Sequence, residues 1–266
     1  DRALGQVEVA LFDPNYRGAL FDLGIGNYRL KNFAASASAY ERYIALNPAN
    51  ADAHYRLGLD YMELKRDADA IKFLEKSIEL GIKKADPYYQ LGYYRSEAAQ
   101  YNEAIKLYKE AIKLDPKDVD AYLEMGNDYN RLKMWTEAMA AFNAALKLRA
   151  DSSNAHLGLG NSYYNQNKYA ESLPYYKRAA EISPKWSQAH EYIGDTYRNT
   201  NQEVLAINAY NTALTLQPTR GSSVYGLGLV YVNQKNRVLA RQQYDKLQPL
   251  DAALAAKLLE RINAIK

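Results

Sequence analysis

Residues 158–180 read GLGNSYYNQNKYAESLPYYKRAA, and the opening glycines raise two competing interpretations. Gly158 to Tyr163 has the spacing of the front of a dinucleotide-binding loop. Such a loop needs a third glycine where Tyr163 stands and a hydrophobic strand before it, because the turn presents backbone N–H groups to a pyrophosphate. The preceding residues 148–156, LRADSSNAH, are polar and contain no β-branched run of strand length. The alternative is repetition. Segments DLGIGNY, RLGLDYM, QLGYYRS, EMGNDYN, GLGNSYY, YIGDTYR and GLGLVYV begin at 22, 56, 90, 124, 158, 192 and 226, a step of 34 residues with no insertion or deletion.

Seven units counted from Arg17 end at Leu254. The eighth position of each is glycine: Gly24, Gly58, Gly92, Gly126, Gly160, Gly194 and Gly228. A glycine inside a helix costs about 1 kcal/mol against alanine, so the column needs a packing reason. The twentieth position is small (Ser36, Ala70, Ala104, Ala138, Ser172, Ala206, Ala240) and the twenty-fourth is large (Tyr40, Leu74, Tyr108, Phe142, Tyr176, Tyr210, Tyr244). Two helices per unit, meeting small against small with a ring in the next gap, explain the three columns. The first helix then faces inward with positions 4, 7, 8 and 11, and the second with 20, 24 and 27. Pro48, Pro116, Pro184 and Pro218 close their units at a single position. On this reading one glycine of each GxG is for packing and the other is incidental.

The pattern resembles the tetratricopeptide repeat (TPR) family, most clearly in YQLGYYRSEAAQYNEAIKLYKEAIKLDP (89–116) and YLEMGNDYNRLKMWTEAMAAFNAALKL (122–148). The resemblance implies an all-α fold, a right-handed α-solenoid of antiparallel helix pairs whose concave wall is lined by first helices. Residues 1–16 fit the end of a preceding unit, because Pro14 lies 34 before Pro48. They are expected to form an N-terminal cap or partial repeat, with Arg2 and Gln6 out of character. At the other end Pro249 stops the last repeat helix and Asp251 caps a new one. Leu254, Leu258 and Ile262 then cover repeat 7, so that residues 255–266 are the remainder of a C-terminal capping helix.

Composition excludes several classes. The net charge is +3, with both signs interspersed, which argues against nucleic acid as a partner. No run of eighteen apolar residues exists, so membrane insertion is not expected. There is no cysteine, hence no disulfide and no thiolate chemistry. His54, His156 and His190 share the fourth repeat position with Tyr88 and Tyr122, which makes them packing residues rather than metal ligands. No cofactor, metal or catalytic residue is expected, and enzymatic activity is not. Lys106, Lys109, Lys113 and Lys117, interleaved with Glu103 and Glu110, read as a solvated face.

By the resemblance, positions 2, 5, 9, 12 and 13 face the groove. Repeats 1 to 3 offer an apolar, aromatic wall that includes Phe21, Ile25, Tyr28, Tyr55, Leu59, Met62, Tyr89 and Tyr93. Repeats 4 to 7 offer Asn127, Asn130, Asn161, Asn165, Asp195, Asn199 and Asn233, with Tyr164 and Arg198. An asparagine carries both donors and an acceptor, so a ladder of them can grip an extended peptide backbone. The family's clamp for C-terminal carboxylates falls on Leu123, Asn127, Gly158, Gln188 and Tyr192, one match of five, which disfavours a chaperone-tail adaptor.

The expected function is therefore a non-enzymatic scaffold that binds a protein or extended peptide in its concave groove. Two alternatives are a self-assembling scaffold, in which the C-terminal helix of one copy occupies the groove of another, and the recognition arm of a larger multidomain protein. The absence of cysteine and of a starting methionine leans the expected location towards a bacterial periplasm or cell envelope over the cytoplasm. One irregularity stands out. Position 11, tyrosine in five repeats, is Arg95 in repeat 3, and the unit before it ends ELGIKKADP without the proline at 82. A buried charge needs a partner. Arg95 is expected either to turn into the groove, towards Glu97 or Asp60, or to be exposed by a rotated helix, with a change of curvature between repeats 2 and 3.

Overall fold

A computed structural model describes residues 17–265. Among the described residues there are fifteen helices and no strand. First helices are α1 (Arg17–Arg29), α3 (Ala51–Glu63), α5 (Asp86–Glu97), α7 (Val119–Arg131), α9 (Ser153–Tyr164), α11 (Ser187–Asn199) and α13 (Gly221–Asn233). They alternate with second helices α2 (Phe33–Leu46), α4 (Asp67–Glu79), α6 (Tyr101–Leu114), α8 (Trp135–Leu148), α10 (Tyr169–Ile182), α12 (Glu203–Leu216) and α14 (Arg237–Leu247), and α15 (Ala252–Asn263) follows. The chain divides within α7 into two compact units, the first ending at Asp128 and the second beginning at Tyr129. Inside each unit a second helix packs on its own first helix and on the first helix of the next repeat. The cap or partial repeat expected in residues 1–16 lies outside the described residues.

The glycine column has a direct cause. A Cβ added at Gly24 would stand 2.5 Å from the Tyr40 ring, at Gly160 2.5 Å from Tyr176, and at Gly92 and Gly194 2.8 Å from Tyr108 and Tyr210. The ring at position 24 lies on the glycine of its own repeat, and no side chain fits between. Where Leu74 replaces the ring, the clearance at Gly58 opens to 3.2 Å. Each ring is fully buried. Such burial is worth about 1.5–3 kcal/mol, more than the helix loses to the glycine. The GxG of repeats 5 and 7 is corrected accordingly: both glycines serve packing. Gly158 meets Phe142 of the preceding repeat, and Gly226 would clash with Tyr210 at 2.6 Å. At the C-terminus Leu258 of α15 takes the ring's place over Gly228. Asp251 caps that helix through the Leu254 N–H at 2.9 Å, and Leu258 and Ile262 are buried while Leu254 is half-buried.

The turn between the two helices of a repeat uses one device throughout. Lys31, Lys65, Ala99, Lys133, Asn167, Asn201 and Lys235, all at position 15, have φ between 56° and 61°. In repeat 3 the Ala99 N–H donates to Ser96 and the Gln100 N–H to Arg95, a Schellman closure that satisfies the last carbonyls of α5. The closure wants glycine, and none of the seven residues is one. Between repeats 2 and 3 the same closure does use glycine. Gly81 has φ 78°, its N–H bonds to Ile78 and that of Ile82 to Ser77, and Ile82 is buried where four other repeats place proline.

Arg95 follows neither expected course. Its guanidinium bonds to Glu75 of α4 and to Gln100 at 3.2 Å, not to Glu97 or Asp60. Tyr61, its equivalent in repeat 2, reaches Glu41 of α2, which occupies the position of Glu75. The arginine therefore makes the same link to the preceding second helix that the tyrosine makes, and its helix needs no rotation.

Two substitutions test these features. Ala99→Gly relieves the left-handed strain and is expected to stabilise the array by about 1 kcal/mol in denaturant unfolding. Gly160→Ala pushes a methyl group into the Tyr176 ring and is expected to destabilise it by roughly 1–3 kcal/mol. An unchanged midpoint for Gly160→Ala would refute the ring-on-glycine account.

Candidate functional site

Unit 1 splits the expected aromatic wall in two. Phe21 is half-buried and packs on Tyr40 and Tyr43, at 5.5 and 5.0 Å between ring centroids, with the Arg56 guanidinium over it. Tyr55 donates its hydroxyl to Asp86 across the repeat boundary and carries the Lys84 ammonium 5.5 Å above its ring. These two rings hold repeats together. Tyr89 and Tyr93 instead line a cavity of about 570 Å³ between α3 and α5, with Met62, Glu63, Lys65, Asp67, Gln90, Tyr94 and Glu97. Tyr89 rests against Tyr108 at 5.9 Å, whereas Tyr93 is 43% exposed.

The electrostatics of this side are negative. Burial first, then the carboxylates of Glu124, Asp120 and Asp118, push the Tyr89 phenol up to about 12. Tyr94 is raised to about 12 by burial and by Asp67, which accepts its hydroxyl at 3.1 Å. Tyr28 is raised by burial and by Glu63, Asp60 and Asp86. Glu63 and Glu97 are cavity residues that an apolar reading of repeats 1 to 3 misses, although both stand at position 13, a groove column. Asn127 donates to Glu124, one turn earlier on its own helix, at 3.3 Å.

In unit 2 several of the expected ladder residues already hold internal bonds. The Tyr176 hydroxyl donates to Asn161 Oδ1 at 2.8 Å, and the Tyr210 hydroxyl to Asp195 Oδ1 at 2.5 Å. In both repeats position 9 accepts from the phenol at position 24. Burial raises the Asp195 carboxyl, against the lowering effect of Tyr210 and Arg198. Arg198 lies 3.6 Å from Asp195 and donates to the Tyr210 oxygen at 3.4 Å. Asn199 Nδ2 donates to the Tyr164 oxygen at 2.5 Å, and Asn130 spans to Gly158 O and Ser162. Asn165 and Asn233 are exposed. Asn161 therefore keeps its two amide donors and Asn199 its carbonyl.

A second network escapes sequence reading. Glu191, buried in α11, accepts from Arg220 through Nε at 2.5 Å and Nη2 at 3.2 Å, and from Ser222 and Ser223 at 2.6 Å each. It fixes the start of α13, and four donors leave it no chemistry to perform. The histidines are ties of a similar kind. Nε2 of His54, His156 and His190 bonds the carbonyl six residues earlier, at 2.9, 3.4 and 3.0 Å. A carbonyl only accepts, so each ring is protonated at Nε2. Among the described residues no group of His, Asp and Glu is placed to hold a metal, and no helix is long and apolar enough to cross a membrane.

Comparison with known proteins bears on these faces. Models described as tetratricopeptide repeat match residues 21–88, 123–185 and 188–220, and one described as TPR repeat matches 99–133. The chain belongs to the tetratricopeptide repeat family. A solved TPR protein titled as having an unusual peptide-binding site, YrrB, is 25% identical over 70% of this chain and 97% of its own, with a TM-score of 0.53. MamA is 25% identical over 65% of this chain and 94% of its own, at 0.59. The C-terminal part of a TPR repeat-containing protein from Cytophaga hutchinsonii covers 91% of this chain and 98% of its own, at 15% identity and 0.70, a likeness of fold. A search of curated proteins gives no match. TPR arrays are in general protein–protein interaction scaffolds rather than enzymes.

One buried group of the TPR array titrates near neutrality. Asp60, with no exposed surface, accepts the Ser36 hydroxyl at 2.8 Å from the preceding second helix, and its Oδ1 is without a partner. Burial pushes its carboxyl to about 7, outweighing Ser36 and Arg56. The folded state therefore holds a proton that the unfolded chain releases near pH 4. Stability from this residue is full below pH 4 and is lost as pH rises through 7. Asp60→Asn is expected to match the parent at pH 4 and to exceed it by roughly 1–3 kcal/mol at pH 8, read from unfolding midpoints across that range. A constant difference between the two proteins would contradict it.

Proposed function

We propose that the array binds a protein or peptide segment in extended form along its first-helix side and performs no chemistry of its own. The observation that carries this reading is the cavity between α3 and α5, where Tyr93 is exposed beside Met62 and Tyr89 while the aromatic rings at position 24 are buried. An open aromatic cavity on the outward face of two first helices is a place for a partner's side chain. In unit 2 the donors of Asn161, the carbonyl of Asn199 and the exposed amides of Asn165 and Asn233 are suited to a peptide backbone, and the peptide-binding TPR relative supports the assignment. The self-assembling alternative gains nothing from α15, whose apolar residues Ala255, Leu258 and Ile262 are buried on its own chain.

Crosslinking of captured partners tests the assignment. Crosslinks are expected on first helices, and a pattern confined to second helices would overturn it. Asn127→Ala with Asn165→Ala, which break no link between helices, are expected to weaken partner binding by roughly five- to a hundredfold with the unfolding midpoint unchanged. Asn161→Ala is expected to behave differently. It strips the Tyr176 hydroxyl of its acceptor and costs about 1 kcal/mol of stability.

A further inference from the structure

The cavity of unit 1 carries a charge that the packing of the repeats does not require. Its wall is formed by the rings of Tyr89 and Tyr93 and the Met62 side chain, and its rim holds Glu63, Asp67 and Glu97 against a single ammonium, Lys65. Several other carboxylates of unit 1 are paired within the fold: Asp52 with Arg56 and Lys84, Asp69 with Arg66, Glu75 with Arg95. Among the described residues neither Glu63 nor Glu97 has an ion pair or a side-chain hydrogen bond.

The same unit shows what such an arrangement accommodates. Arg66 lies 4.3 Å over the Tyr61 ring and pairs with Asp69 at 2.7 Å. Lys84 lies 5.5 Å over the Tyr55 ring and pairs with Asp52. In each case a cation sits between an aromatic face and a carboxylate, attracted by both. Tyr93 with Glu63 and Glu97 repeats the ring and the carboxylates in one cavity, and among the described residues neither glutamate has an ion pair of its own.

We propose that this cavity receives a lysine or arginine side chain of the bound polypeptide, an inference that rests on the reading of the array as peptide-binding. The aliphatic stem lies along Met62 and Tyr89, and the charged head meets the Tyr93 ring and the two glutamates. A neutral side chain of equal length fills the volume and leaves the carboxylates uncompensated. An acidic one is repelled.

The test uses the full chain and defined probes. Nα-acetyl-arginine and Nα-acetyl-lysine methylamides, with the norleucine and glutamate analogues as controls, are titrated while backbone and tyrosine resonances are followed by NMR. The cationic probes are expected to shift Tyr89, Tyr93 and Glu97 and to bind about tenfold more tightly than norleucine. Glu63→Gln with Glu97→Gln, both exposed positions, is expected to remove that advantage, and Lys65→Gln to increase it. Equal binding of norleucine, or shifts elsewhere in the chain, would overturn the proposal. Selection from a displayed library of random dodecapeptides separates it from the reading beneath it. Peptides enriched in Lys or Arg only when both glutamates are present support the inference. Peptides selected without a basic preference overturn it and leave peptide binding standing, whereas failure to select any peptide, with no partner crosslinked to a first helix, overturns peptide binding itself.

Discussion

The array depends on an aromatic ring laid against a stretch of backbone that has no Cβ. The ring at position 24 reaches its glycine in the same repeat, and the contact brings the two helices close. In repeat 6 the same ring, Tyr210, also faces Gly226 of the next repeat, and the Phe142 ring of repeat 4 faces Gly158 of the next. Tyr210 thus sets both the pairing of helices within its repeat and the stacking of that repeat on its successor. The end of the array shows how strict the requirement is: Gly228 is covered by Leu258 of α15, so the last glycine is still filled by a large apolar side chain, borrowed from outside the repeats.

Choosing tyrosine for that ring has a second effect, because a buried hydroxyl needs a partner. The chain has 25 tyrosines and 5 phenylalanines. In repeats 5 and 6 the phenol finds Asn161 or Asp195 at position 9, on the side that a ligand would touch. Polar residues there answer first to the core. Asn127 belongs to a repeat whose ring is Phe142, which has no hydroxyl, and its amide turns to Glu124 instead. In repeats 4 to 6 the identity of a core residue thus decides whether the polar group above it accepts from the core, whereas the buried hydroxyls of Tyr40 and Tyr108 find no acceptor.

The TPR period, the glycine column and the alternation of helices are all legible in the sequence because they recur at a fixed interval. The candidate site is legible only in part. Tyr93 stands out by position and Asn165 by composition, but the commitment of Asn161 depends on a residue fifteen further along in the partner helix. The left-handed turn at position 15 carries Lys, Ala or Asn, so no glycine announces it. Glu191 with Arg220 recurs in no other repeat, and a pairing that occurs once has no column to reveal it. Arg95 reads as an irregularity within its own repeat, because its partner Glu75 belongs to the preceding unit.

That pairing has a consequence for how a chain of near-identical units keeps its order. The residue at position 11 meets position 25 of the unit before it: Tyr61 with Glu41, Arg95 with Glu75, and Tyr197 beneath the Lys177 ammonium. The geometry is shared but the chemistry differs from one junction to the next. A helix docked on the wrong neighbour would set Arg95 against Lys177, like charge on like, while the apolar columns raised no objection. Repeats that match everywhere would assemble out of sequence, or across two copies of the chain, at little cost. A few mismatched junctions give each unit an address.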